Sequence, residues 1–211
     1  LPIAANYRAW VLAATGRAAE SEERSRLALE ESALLTEPRV HAALDLVAAR
    51  LDAGDAEGAA AGLTEVTLAP PGTGTMVWHQ EERHLLLTAR LGLLTDDPER
   101  AAEQAASLGK LTAGRGSRRA QAQARVVELA ANAAAGRHPS PDDVATALSV
   151  LDHIGGMEVW RATADLAHWT GWSQLWPEAE RRADTLARRC GEQGDAVRTW
   201  VRSELDRMQA R

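Results

Sequence analysis

The chain is expected to be all-α. Helix-forming residues run almost unbroken between short Gly- and Pro-containing breaks, and apolar residues within the runs recur at helical spacing. Alternating β-branched stretches are nearly absent.

Each helix has its own punctuation. The first two, at 3–15 and 18–35, are parted by Gly16. Pro38 opens 38–53, and the Gly54-Asp55 turn separates it from 56–68. The segment "LTEVTL" at 63–68 is the best strand candidate, but it continues an Ala-rich helix and has no partner strand, so it is read as a helix end. "PPGTG" precedes 75–94, and Asp97-Pro98 opens 98–112. Next come 116–136 and 141–154, the latter begun by Ser140-Pro141-Asp142-Asp143, with Ser as cap and carboxylates at the positive end of the helix dipole. Helices at 157–170, 177–190 and 194–209 follow, broken at Gly155-Gly156, Gly171 and Gly191.

The helices fall into pairs, about 3–35, 38–68, 75–112, 116–154 and 157–190, with 194–209 left to cap the last apolar face through Val197, Trp200, Val201 and Leu205. In residues 41–71 an apolar helix, a Gly-Asp turn, a second Ala-rich helix and a closing proline follow one another. This unit resembles a tetratricopeptide repeat, with Leu46, Ala59, Leu63, Val66 and Pro71 in the packing positions. Trp10, Ala33 and Pro38 fall in comparable places before it, and Asp97, Ala101 and Leu108 after it. The glycine and tyrosine of the family's first helix are mostly missing, and the later pairs have irregular lengths. The resemblance implies a single domain over 1–211, a right-handed superhelical array of about 10–11 helices (an α-solenoid), as in sensor arrays of bacterial signal-transduction ATPases and large transcriptional regulators.

Composition narrows the function. Lys110 is the only lysine, and the richness in Arg, Ala, Gly and Leu matches a GC-rich bacterial coding bias. A net charge of −6 opposes general nucleic-acid binding, which needs surplus cations to displace counterions. A lone cysteine, Cys190, permits no internal disulfide and suits a reducing cytoplasm. No apolar run reaches the roughly 20 residues of a membrane helix. The opening "LPIAANY" lacks an initiator methionine, so a fragment of a larger protein is expected.

Several motifs invite chemistry. "LAPPGTGTMVW", Leu68 to Trp78, looks like a nucleotide-binding P-loop, but Ala69 replaces the first glycine, Thr75 the lysine and Met76 the hydroxyl residue. It is read as an interhelical loop. Glu81 and His84 have E-x-x-H spacing on one helix face, echoed by Asp165 and His168, yet no further carboxylates are singled out to complete a metal site. The stretch 110–125 carries Lys110, Arg115, Arg118, Arg119 and Arg125 without an acid. It is followed by a helix-turn-helix echo whose turn is too long and whose second helix starts with Asp142 and Asp143. Trp160, Trp169, Trp172 and Trp176 crowd one segment: Trp160 shares a helix stripe with Ala164 and Ala167, whereas Trp172 and Trp176 flank a turn and are candidates to seal a helix junction or anchor a partner.

The expectation is therefore a non-enzymatic module for protein interaction or ligand sensing, with no cofactor and no metal. Its partner would be a protein, a peptide or a neighbouring domain of the same chain. Candidate contacts are Arg39, Arg50, His79, Arg83, Arg115, Arg118, Arg119, Trp172 and Trp176. The rival expectation is a DNA-associated regulator fragment using 110–125, and an all-α metalloenzyme is the third.

Overall fold

The computed structural model describes residues 2–32, 35–70, 74, 76–154 and 158–210. Among the described residues it contains eleven α-helices and no strand. The helices are α1 (Pro2–Ala14), α2 (Ala18–Glu31), α3 (Thr36–Ala53), α4 (Ala56–Glu65), α5 (Val77–Leu94), α6 (Pro98–Ala113), α7 (Arg118–Ala134), α8 (Pro141–Ile154), α9 (Val159–Thr170), α10 (Leu175–Arg189) and α11 (Gly194–Gln209). None is long and apolar enough to cross a membrane.

Local chemistry sets the ends. Gly54 takes the left-handed conformation (φ 79°) that lets α3 stop, and Asp55 then caps α4 by accepting from the Gly58 amide at 2.8 Å. Ser140 caps α8: its hydroxyl accepts from the Asp143 amide at 3.1 Å and donates to the Asp143 carboxylate at 2.7 Å. Helices α3 and α10 begin two residues before Pro38 and Pro177, because a proline is tolerated throughout the first turn, where its missing N–H has no intrahelical acceptor. "LTEVTL" divides: α4 ends at Glu65, and Val66 turns extended (ψ 116°). The β-branched residues leave the helix there rather than end it.

The chain separates into two compact units, Leu1–Gln104 and Ala105–Arg211. Each unit has its own apolar core.

In the first unit α1 packs on α2 and α3, α2 on α3, α3 on α4 and α5, and α4 on α5. Its best-defined core joins Val40, Leu44, Val47 and Leu51 of α3 to Ala59 and Leu63 of α4 and to Leu87 and Leu91 of α5. Of the residues that carry the repeat resemblance, Ala59 and Leu63 are buried, Val66 packs at the edge, and Leu46 is half-buried. Pro71 and Ala33 lie outside the described residues. Close approach at the α5–α6 corner depends on Gly92, where a Cβ would stand 2.9 Å from the Ala101 nitrogen.

In the second unit α7 packs on α8 and α9, α8 on α9, α9 on α10 and α11, and α10 on α11. Trp160 and Ala164 of α9, Ala179, Ala183, Leu186 and Ala187 of α10, and Val197, Val201, Leu205 and Met208 of α11 form its core. Trp200 meets Trp160 edge to face, with ring centres 5.5 Å apart.

Candidate binding surfaces

The polar candidates of the first unit converge on the contact between α3 and α5. Arg83 of α5 donates through Nη2 to Asp45 Oδ1, and its Nη1 lies 3.4 Å from His41 Nδ1 and 3.5 Å from the His41 carbonyl oxygen. The rings of His41 and His79 are 5.8 Å apart. One helical stretch further on, Arg90 donates to Asp52 at 2.7 Å. At the near end Glu37 Oε1 accepts from the Met76 amide at 2.5 Å. Gln80, fully buried, donates to the Glu37 carbonyl and accepts from the Ala69 amide, both at 3.2 Å. The pairs 41/79, 45/83 and 52/90 keep a constant separation of 38 residues, so α3 and α5 run parallel and in register.

This ladder has a sequence signal that motif reading passes over. His41, Asp45 and Asp52 have the spacing i, i+4, i+11 on one face of α3, and His79, Arg83 and Arg90 repeat it on α5 with the acids replaced by arginines. Motif and composition single out Arg83 and His79 on this surface, but not Asp45 or His41.

Burial governs the electrostatics. Desolvation, then the neighbouring Arg83 charge, lowers the His41 imidazole to about 4. His41 is therefore neutral at pH 7, and its Nε2 is buried with no hydrogen-bond partner among the described residues. Burial also pushes the Asp45 carboxyl up, against the pull of Arg83.

The remaining candidates are scattered. Arg39 is exposed on α3 and makes no side-chain hydrogen bond or ion pair among the described residues. Arg50, also exposed, donates to the Gly58 carbonyl at 2.7 Å, tying α3 to α4. In the second unit Arg115 and Arg118 are exposed at the turn into α7. Arg119 is held by both oxygens of Glu158, at 2.8 and 2.9 Å, and Gln123 donates to the same carboxylate. Arg125 bridges Glu128 and Asp143 at 2.9 and 2.8 Å. Two cations of the 110–125 stretch are thus neutralised by carboxylates of their own unit, and one of those carboxylates opens the would-be recognition helix. Trp176 packs half-buried against the second core, and Trp172, also half-buried, donates its amide to the Thr170 hydroxyl at 3.3 Å.

Glu81 and His84 are half-buried on α5, and His168 stacks edge-on against Trp169 at 4.8 Å. No group of three His, Cys, Asp or Glu residues among the described residues is placed to hold a metal ion. Of the P-loop look-alike, Pro71, Gly72, Thr73 and Thr75 lie outside the described residues. The Met76 amide, which a phosphate would need, donates to Glu37 instead.

Besides these polar groups, α1 carries apolar residues on both sides. Ala9 and Leu12 face the core, while Ile3, Tyr7, Trp10 and Val11 are each at least 40% exposed. Their i, i+4, i+7, i+8 spacing makes one outward stripe.

No family model matches the chain, and neither a curated protein nor a solved structure matches it.

Proposed function

We propose that the chain is a helical-repeat module that binds a protein or peptide and performs no catalysis itself. The supporting observation is the in-register, parallel stacking of α3 on α5, with a fixed offset of 38 residues between paired side chains. Odd-numbered helices also follow one another in contact within each unit: α1, α3 and α5 in the first, α7, α9 and α11 in the second. Stacking of successive helical pairs is how repeat proteins build an extended recognition face. On α3 that face would present Arg39 and Arg50, whose side chains suit carboxylates of an acidic peptide, while Arg83 and His79 are engaged inside the stack. The outward stripe of α1 supplies apolar and aromatic surface of the kind enriched in protein contacts.

Photocrosslinking tests the reading. A photoreactive residue at position 39, introduced into the protein in its own host, should give a saturable adduct with one protein or with a neighbouring segment of the same chain. The adduct should be lost in an Arg50→Glu background. Diffuse labelling that Arg50→Glu leaves unchanged would count against it.

A further inference from the structure

We propose that the α3–α5 contact is an acid-responsive joint, which loosens when His41 takes up a proton beside the Arg83 guanidinium. The geometry leaves an added charge no good place to go. Arg83 Nη1 already stands 3.4 Å from His41 Nδ1, and the other ring nitrogen is buried with no hydrogen-bond partner among the described residues. Protonation would turn Nδ1 from acceptor to donor and set N–H against N–H at that distance. The Arg83 charge cannot be shed to relieve this.

The surrounding groups do not compensate. From α5, Arg83 and His79 face the His41 ring. Along α3, Glu37 lies one turn before it and Asp45 one turn after, but Glu37 accepts from the Met76 amide and Asp45 from Arg83. Glu82 of α5 is buried about 100° round the helix from Arg83. Of the other helices packed on α3, α1 has Arg8 as its one charged residue, and it is exposed. Helix α2 buries Ser21, Ser25 and Ala28, and the acids of α4, Glu57 and Glu65 with the cap Asp55, are exposed.

The sign follows from linkage. His41 titrates near 6.5 in the unfolded or opened chain and at about 4 when packed, so the opened form binds more protons between these values. Packing is fully favoured above pH 6.5 and weakens as the pH falls towards 4. Asp45, whose carboxyl is pushed up by burial, works in the opposite sense and softens the slope.

Hydrogen exchange read by mass spectrometry, corrected for intrinsic rates, tests the joint at pH 7 and pH 5. In the parent protein the protection of α3 and α5 should drop on the order of tenfold, with α9 and α10 changing little. His41→Gln, which cannot take up the proton, should show a change of less than about twofold in α3 and α5. An equal drop in His41→Gln, an equal drop in α9 and α10, or no drop at all would overturn the proposal. Should His41→Gln fail to fold, a carbon-detected imidazole titration of the parent decides. A His41 midpoint below about 5 supports the joint, and one near the ordinary value of about 6.5 refutes it.

Discussion

The α3–α5 contact and the α9–α10–α11 core hold their units together by different means. The second is built mainly on apolar contact: Trp160 and Trp200 meet edge to face beside alanines and branched aliphatics, with one buried guanidinium, Arg182, on the same helix as Ala179, Ala183 and Leu186. Arg182, though itself buried, reaches Asp152 and Glu178, and Arg198 reaches Asp184 and Asp195. The first sets an apolar core of leucines and valines beside a polar ladder of His41, Asp45, Arg83, Asp52 and Arg90. Apolar contact is tolerant of register, since leucine packs on leucine at several offsets. A ladder of acids against arginines at one spacing is satisfied at one offset alone, because a slip by a turn leaves charges buried and unpaired. The first unit thus gains a defined register and a pH-dependent weak point. The second relies on apolar burial, which sets no single register.

Substitutions can break this contrast at either end. Trp160→Ala should have the largest effect, a loss of about 4 kcal/mol, because it empties the centre of the second core. Denaturant unfolding followed by far-UV circular dichroism measures it, and a loss under about 1.5 kcal/mol would mean that the core is not built around this ring. Arg83→Ala should cost somewhat less, about 3 kcal/mol, since it strands Asp45 in a buried position while removing modest apolar contact. The same titration reads it, and its damage should appear as lost hydrogen-exchange protection in α3 and α5 before α9. Arg119→Ala sharpens the contrast from below. Its pair with Glu158 is bidentate but substantially exposed, 42% and 26% for the two side chains, so the change should be about 0.5 kcal/mol. A loss above about 1.5 kcal/mol would show that the exposed pairs of the second unit carry more than their exposure allows.

Much of the helical layout is legible in the sequence because Gly54, Asp55, Ser140 and Gly171 act locally: each ends or caps a helix through its own backbone or side chain. Helix starts near Pro38 and Pro177 are less legible, since proline is compatible with any first-turn position and marks a region, not a residue. The division into two units is not legible at all, because the Ala-rich periodicity of α6 and α7 is the same on both sides of residue 104. At the candidate site, Arg83 and His79 stand out as polar groups on a helix face, whereas Asp45 and His41 look like ordinary solvated positions on α3. Their role emerges only when the matching spacing 38 residues later is laid alongside. The arginines of 110–125 mislead for a related reason. The acid of Arg119, Glu158, lies 39 residues away in sequence, and of the two that hold Arg125, Asp143 lies 18 away and Glu128 just beyond the stretch.

The central claim is that the ladder fixes register and pH response at a cost in stability, and the double variant Asp45→Leu with Arg83→Met tests it most directly. Replacing both members of a buried ion pair with apolar residues of similar size removes the desolvation penalty along with the attraction. The expected result, from denaturant titration at pH 7, is an unfolding free energy within about 1 kcal/mol of the parent or above it, in contrast to Arg83→Ala. A double variant as unstable as Arg83→Ala would contradict the claim and make the ladder a principal source of the first unit's stability.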